Sequence, residues 1–396
     1  MKWPRHRARF TREPVFFRLF FINRMICSLY QADDPGAGTA LNATVRCPSL
    51  IHRIITVALA AFLALAIPAG GDGAGWWKLY FTSPGKWAVL SKTVNPEAGL
   101  TALLGRAEES IYGAFYEISS PAIIDALVDA RKRGVAVKLV TEHDTMRAKK
   151  GKGTRFLKRL EDAGIEMVSD PPRRRGLMHN KFAVIDGKYL WTGSYNPTVN
   201  DSVRNNNNAI LIYSPILADI YKNEFLEMFD EEIFGNRKEE GPFADLRRNY
   251  HVNIEGTDIN AYFAPEDNVE RIILKRLEKA KSSIYFMAFS FTSAGIGEMM
   301  IKKFKSGVTV QGVFERRGAK TGHSQYVKMK LEGLPVRLDH NRGAMHHKVI
   351  IIDGERVIMG SYNFSRNANR SNDENILIID NREIASAFMS EFKRLW

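Results

Sequence analysis

Apolar positions along the chain fall into two series that repeat each other. In the first, residues 110–116 read as a strand, 123–133 as a helix, and 134–140 and 164–168 as further strands. Residues 283–289, 296–305, 307–313 and 333–337 follow the same order. Tyr80-Phe81-Thr82-Ser83-Pro84 opens the first series and Tyr262-Phe263-Ala264-Pro265 the second. Equivalent segments lie 173 residues apart early and 167 apart later, so the second copy is six residues shorter in between. Each series ends in an apolar run, 182–185 or 349–352, stopped by Asp-Gly; the first resumes at Tyr189-Leu190-Trp191. That pattern predicts a β-hairpin with a tight turn. Helices over 216–229 and 384–396 close the two halves, and the charged, apolar-poor stretch 236–249 reads as a linker with a boundary near residue 240. Strands alternating with helices, twice over, predict an α/β fold of two layered lobes with mixed sheets. The chain divides into 1–75, a first lobe over 76–240 and a second over 241–396.

The hairpins carry the chemistry. His179, Lys181, Asp186, Gly193, Ser194 and Asn196 recur as His346, Lys348, Asp353, Gly360, Ser361 and Asn363 at identical offsets. Side chains alternate faces on a strand, so His179 and Lys181 share one face. Asp186 and Asp353, at odd offsets, read as hairpin and orienting residues. His347 occupies the other strand face and reads as structural. Lys, Asn and Ser are hydrogen-bond donors that suit the non-bridging oxygens of a phosphoryl group. Imidazole can act as nucleophile or proton carrier near neutral pH. Two copies supply one histidine for each half of a double displacement.

Both stretches resemble the His-x-Lys-x4-Asp-x6-Gly-Ser-x-Asn signature of the phospholipase D superfamily, and the resemblance runs from about Trp77 to Trp396. It implies αβα-type lobes about a pseudo-twofold axis, with both histidines in one site at the interface. It further implies that His179 attacks phosphorus and that His346 protonates the leaving alcohol and then activates water. The family commonly orients an imidazole with a carboxylate placed as Glu374 is, 28 residues after its His; the first lobe has Asn207 there, inside an Asn205–Asn208 run. Whether Glu374 serves His346 or His179 stays open at this level. The catalytic candidates are thus His179, His346, Lys181, Lys348, Asp186, Asp353 and Glu374. Candidates for holding phosphate are Ser194, Asn196, Ser361 and Asn363.

Composition changes the picture in three places. The net charge of +13 fits an anionic substrate, phospholipid or nucleic acid. Two basic stretches, Lys149-Lys150-Gly151-Lys152 with Arg155, Lys158 and Arg159, and Arg173-Arg174-Arg175, flank the first hairpin. The lysine stretch reads as a solvated face and the arginine triplet as a site entrance. Phe115 and Tyr116 are aromatic candidates for base stacking, although such residues are more often core. Residues 54–67 form an uncharged apolar run of about 21 Å as a helix, short of a ~30 Å membrane core, and read as a secretory signal or an anchor. Export is the expectation, with cleavage near residues 69–75. Both cysteines, Cys27 and Cys47, precede that run, and no Cys-x-x-Cys or His-Glu-x-x-His spacing occurs. Metal-independent activity without a cofactor follows as an expectation, as does a monomer, since both hairpins lie in one chain. The favoured substrate is a phospholipid headgroup ester, with peripheral membrane contact. The alternative is an exported endonuclease, ahead of a cardiolipin-synthase-type transferase or a non-catalytic binding protein.

Overall fold

The computed structural model describes residues 75–84, 95–147, 152–172, 176–240 and 250–396. The 54–67 run, both cysteines, Lys149, Lys150 and the Arg173–Arg175 triplet lie outside the described residues.

Fifteen described strands form two sheets. The first contains β1 (Trp77–Phe81), β2 (Ser110–Phe115), β3 (Ala136–Thr141), β4 (Glu166–Ser169), β5 (Lys181–Ile185), β6 (Tyr189–Gly193) and β7 (Asn208–Tyr213), in the order β1-β7-β6-β5-β2-β3-β4. The second contains β8 (His251–Ile254), β9 (Thr257–Ala264), β10 (Ser283–Ala288), β11 (Thr309–Phe314), β12 (Val336–Leu338), β13 (Lys348–Ile352), β14 (Arg356–Gly360) and β15 (Glu374–Asp380), in the order β12-β11-β10-β13-β14-β15-β9-β8. Reversed, this is the first order with β8 added at the edge. Three strands in each sheet run parallel, β2-β3-β4 and β10-β11-β12, and the hairpin strands join them antiparallel.

Strand parity explains the layers. In β5, Phe182 and Val184 face an inner core shared by both sheets, whereas Ala183 and Ile185 face the outer core of the first. In β13, Val349 and Ile351 point inward, and Ile350 and Ile352 outward. Every residue of these two strands is buried, which explains their unbroken apolar run. The inner core also takes Tyr221, Phe225 and Met228 from the helix Pro215–Phe229, and Ile384, Phe388 and Phe392 from the helix Arg382–Leu395. The outer helices Pro121–Lys132 and Ala294–Lys305 start at Ser120 and Ser293, whose hydroxyls accept from Ile123 N and Ile296 N. Such caps contribute about 1 kcal/mol each.

Of the stretch read as a linker, only its first residues, up to 240, are described, and these are structured. Gly235–Glu240 forms a 3-10 helix whose Lys238 is fully buried. Its ammonium contacts Glu224, with Asp373 at 3.4 Å, Glu227 at 3.9 Å and Glu266 at 4.0 Å. Low apolar content suggested exposure, but burial here rests on charge pairing. Among the described residues no helix is long and apolar enough to cross a membrane.

Candidate active site

The histidines come together where the two sheets abut. Isolated parallel bridges join Met178 to Asp373 and Asn206 to Met345, one on each side of the pseudo-twofold. His179 N donates to Asp373 O at 3.0 Å, and His346 N to Asn206 O at 2.8 Å. Each histidine is therefore hung by its backbone on the opposite lobe, just ahead of β15 or β7, and is only 7% exposed.

The side chains are pinned in the same crossed manner. His179 Nδ1 lies 2.8 Å from Glu374 Oε2, a contact between residues 195 apart in sequence. His346 Nδ1 lies 2.9 Å from Asn207 Oδ1 and 3.1 Å from the carbonyl oxygen of Ser194. A backbone carbonyl can only accept, so His346 carries a proton on Nδ1 whichever way the Asn207 amide is turned. The carboxylate imposes the same tautomer on His179. Both rings thus keep Nε2 for the reacting atoms.

The lysines stand directly beneath. Lys181 Nζ donates to His179 O at 2.7 Å and Lys348 Nζ to His346 O at 2.8 Å. Their ammoniums lie 5.0 Å and 4.7 Å from the ring centres of Tyr116 and Phe289, whose rings also pack on His179 and His346. Tyr116 is thereby part of the histidine's seat, while Phe115 is core. Burial, then the neighbouring ammoniums of Lys181 and Lys348, holds both imidazoles well below the ordinary histidine range. Burial also pulls Lys181 down to about 8, against Glu374, Asp201 and Glu117. Lys348 is lowered by burial and by Lys181. Burial pushes Glu374 up to about 8, with Lys181 opposing, so the carboxylate that fixes Nδ1–H on His179 is its ionised form, whose share grows as pH rises toward 8. Such a site holds neutral imidazoles and loosely held lysine protons until an anion enters and stabilises the cations.

Some sequence candidates stand elsewhere. Asp186 and Asp353, counted with the catalytic set, are not in the cluster. They follow five-residue strands, so each lies about 16 Å along the chain from its lysine. Both adopt positive φ, 53° and 55°, in the turn. Asp186 accepts from the N–H groups of Glu108, Glu109 and Ser110, and Asp353 from those of Lys281, Ser282 and Ser283. Ser194 and Ser361 lie behind the histidines. Ser194 Oγ donates to Asn207 Oδ1 at 2.9 Å, and Ser361 Oγ bonds Glu374 while accepting from Asn375 N. Their hydroxyl protons orient the orienting residues, which leaves none for phosphate. Asn196 is tied through N and Nδ2 to Asp201 Oδ2, both at 2.8 Å, and keeps a buried Oδ1 without a hydrogen-bond partner, as does Asn363. His347 bridges Asn208 at 2.8 Å and Glu391 at 3.0 Å on the inner face.

Asp201 is the site residue that the sequence reading missed. Its Oδ2 is 3.8 Å from His346 Nδ1, so the first lobe does contribute a carboxylate, from a position where the second has Ala368. Asn372, which donates to Glu374 Oε1 at 3.0 Å, was missed as well. A residue-by-residue comparison of the two copies would have singled out Asp201, because its lobe differs there. In the basic stretch after residue 149, Lys158 and Arg159 pair with Asp162 and Asp125 on the surface.

Two lobes with crossed histidines and buried lysines define a bilobal protein of the phospholipase D superfamily. The family described as "Cardiolipin synthase, PLD-like domain" matches residues 100–229 and 273–396, and the chain belongs to it. It is 30% identical over 146 residues to the phospholipase D of Rickettsia conorii, 37% of this chain and 73% of that protein. It is 34% identical over 124 residues to the mitochondrial cardiolipin hydrolase of Xenopus tropicalis, 31% of this chain and 59% of that one. The crystal structure of a phosphatidylserine synthase from Haemophilus influenzae superposes with a TM-score of 0.58 over 76% of this chain and 83% of its own, at 16% identity, a likeness of fold.

Proposed function

We propose that the chain hydrolyses a phosphodiester through a phosphohistidine intermediate, and that the ester joins a phospholipid to its headgroup. The observation that carries this is the crossed pinning of the two Nδ1 atoms, which readies both Nε2 atoms. His179 is the nucleophile, because its Nδ1–H faces a carboxylate that stabilises the positive ring formed on phosphorylation. Its Nε2 forms the N–P bond as the P–O bond to the alcohol breaks, and His346 gives its Nε2 proton to the departing oxygen. Asp201 and the phosphate charge support the imidazolium that this step needs. Water then gives a proton to His346 and attacks phosphorus, and the N–P bond breaks to restore His179. Lys181 and Lys348 hold the non-bridging oxygens in a buried, low-dielectric site.

Phospholipid is favoured by the family description and by the printed activities of the relatives, phospholipase D and cardiolipin hydrolase. The export signal read at residues 54–67 would bring the chain to membrane lipid. A nuclease acting by the same chemistry is the second reading, favoured by the +13 charge. The test gives the purified chain, in EDTA, phosphatidylglycerol or phosphatidylcholine vesicles in one assay and single-stranded DNA in another. Headgroup release is expected, with a loss of at least about 10³-fold in His179→Asn. DNA cutting alone would overturn the lipid reading, and a near-normal rate in the variant would overturn the role of His179.

A further inference from the structure

The two lobes differ on the rims that flank the histidines. A short helix follows each Gly-Ser-x-Asn strand, Val199–Val203 in the first lobe and Arg366–Arg370 in the second. Each begins at a hydroxyl cap, Thr198 or Ser365, so the backbones repeat. The exposed side chains do not repeat. Val199 and Val203, 49% and 44% exposed, stand where the second lobe places exposed Arg366 and Arg370.

The seam beside each helix differs too. Next to the arginine helix lies a cavity of about 810 Å³ walled by Pro171, Pro172, Phe234, Arg237, Arg366 and Arg370, with no carboxylate among its described lining residues. Arg370 also borders a second cavity, of about 480 Å³, whose walls include Glu266, Glu270 and Arg271. Gly176 and Ser371, at the edge of the first cavity, each lie three residues from the site, before His179 and Glu374. At strand rise that is about 10 Å. The chain between is fixed across the lobes, by Leu177 N on Asn372 Oδ1 at 3.1 Å and Asp373 N on Leu177 O at 2.9 Å. Beside the valine helix the equivalent seam is filled. Asn341 Nδ2 donates to Arg204 O at 2.8 Å and Ala344 N to Asn205 Oδ1 at 2.9 Å, and a Cβ on Gly343 would lie 2.1 Å from Arg204 O. Arg237 comes from the connection between the lobes, which the duplication does not repeat, and it is anchored through a bond to Glu232 O.

We infer that the cavity of Arg237, Arg366 and Arg370 is a second anion subsite, which takes a further phosphate of the same substrate about 10 Å from the scissile one. This rests on the phospholipid reading above and narrows it to lipids with a phosphate in the headgroup beyond the scissile ester. The asymmetry of the rims selects that class. A polynucleotide carries phosphates on both sides of any bond that is cut and calls for cations on both flanks. Here the helix on one flank carries Arg366 and Arg370 with Arg237 across the cavity, whereas the helix on the other carries Val199 and Val203 ahead of the exposed Arg204, so cationic charge is concentrated on one flank, which suits a molecule whose extra phosphate lies at one end. Guanidinium pairs are well matched to phosphate oxygens.

The full chain and its Arg366→Ala/Arg370→Ala variant test this on vesicles of phosphatidylglycerol phosphate and of phosphatidylglycerol, lipids that differ by one phosphate. A single-stranded oligonucleotide is the third substrate. The variant changes only exposed side chains. It should lose about 10–100-fold in kcat/KM on phosphatidylglycerol phosphate, mainly through KM, while phosphatidylglycerol hydrolysis stays within about twofold. Lysine at both positions should restore part of the loss. Equal losses on the two lipids, or none, would overturn the subsite and leave the phospholipase reading standing. No lipid turnover, with DNA cutting that falls in the variant, would overturn both and give these arginines to nucleic acid.

Discussion

Lys181 shows how burial sets the working range of the site. Its pKa is held at about 8 by burial, against about 10.4 for a free lysine in the unfolded chain. Above pH 8 the folded site gives up this proton, and activity should fall as the cation that holds phosphate disappears. Stability should move the other way. The unfolded chain still binds the proton between pH 8 and about 10.4, so the lysine's contribution to stability is fully present above 10.4 and is lost as pH falls through 8. Thermal melts of wild type and Lys181→Met between pH 8 and 10 check this. The variant should be inactive yet as stable or more stable at pH 8, with its advantage shrinking toward pH 10. A constant difference would refute the assignment. At this scale the histidines and lysines were legible because one chain carries them twice at the same spacing. Asp201 and the true task of Ser194 and Ser361 were not, because a hydroxyl's partner is fixed by what packs beside it.

Within the elements, the hairpin repays the closest reading. Alternation along β5 and β13 placed His179 with Lys181 and put His347 on the opposite face, and both follow from a period of two. The Asp-Gly pair marks the turn because two residues there need positive φ, and Asp186 and Asp353 take it at 53° and 55°. Their carboxylates then tie the turn to the start of β2 or β10. Burial tends to raise the Asp353 carboxyl, but the N–H groups of Ser283, Ser282 and Lys281 bring it below the usual range. Replacing Asp186, which accepts from three backbone N–H groups, with Ala should cost about 1–2 kcal/mol and leave the chemistry in place. Urea midpoints and turnover, measured on the same sample, check this. Activity lost at unchanged midpoint would return Asp186 to the catalytic set. The pattern of exposed valines and arginines on the two short helices was also present in the sequence. Its meaning was not, since five-residue helices carry no period to read.

Across the whole molecule, the lobes share one core and one buried charge cluster. Lys238 joins Glu224 and Glu227 of the first lobe to Glu266 and Asp373 of the second. Glu224, Glu227 and Glu266 also make up a carboxylate group compact enough to hold a metal ion, and Lys238 supplies the cation there. Burial raises the Glu224 carboxyl, with Lys238 opposing. Lys238→Ala should cost about 3–5 kcal/mol by leaving buried carboxylates uncompensated. Because they can then be protonated, the variant should recover stability as pH falls from 7 toward 5. Denaturation curves at the two pH values check both the size and the sign, and a loss that does not depend on pH would show that Lys238 acts only by packing.

The sequence by itself determined the duplication, the alternation of strands and helices through 110–168 and 283–337, the hairpins and the face on which each His and Lys lies. These are local and periodic, so the spacing of apolar residues carries them. It also carried membership of the superfamily, because a spaced signature survives wherever its strand and turn must be kept. Only the tertiary structure decided that Glu374 reaches across to His179, that Asn207 and Asp201 attend His346, and that Lys238 is buried between the lobes. Each joins residues distant along the chain, 195 positions apart for His179 and Glu374. Such contacts follow from how two sheets meet, and no local pattern encodes the angle at which they do.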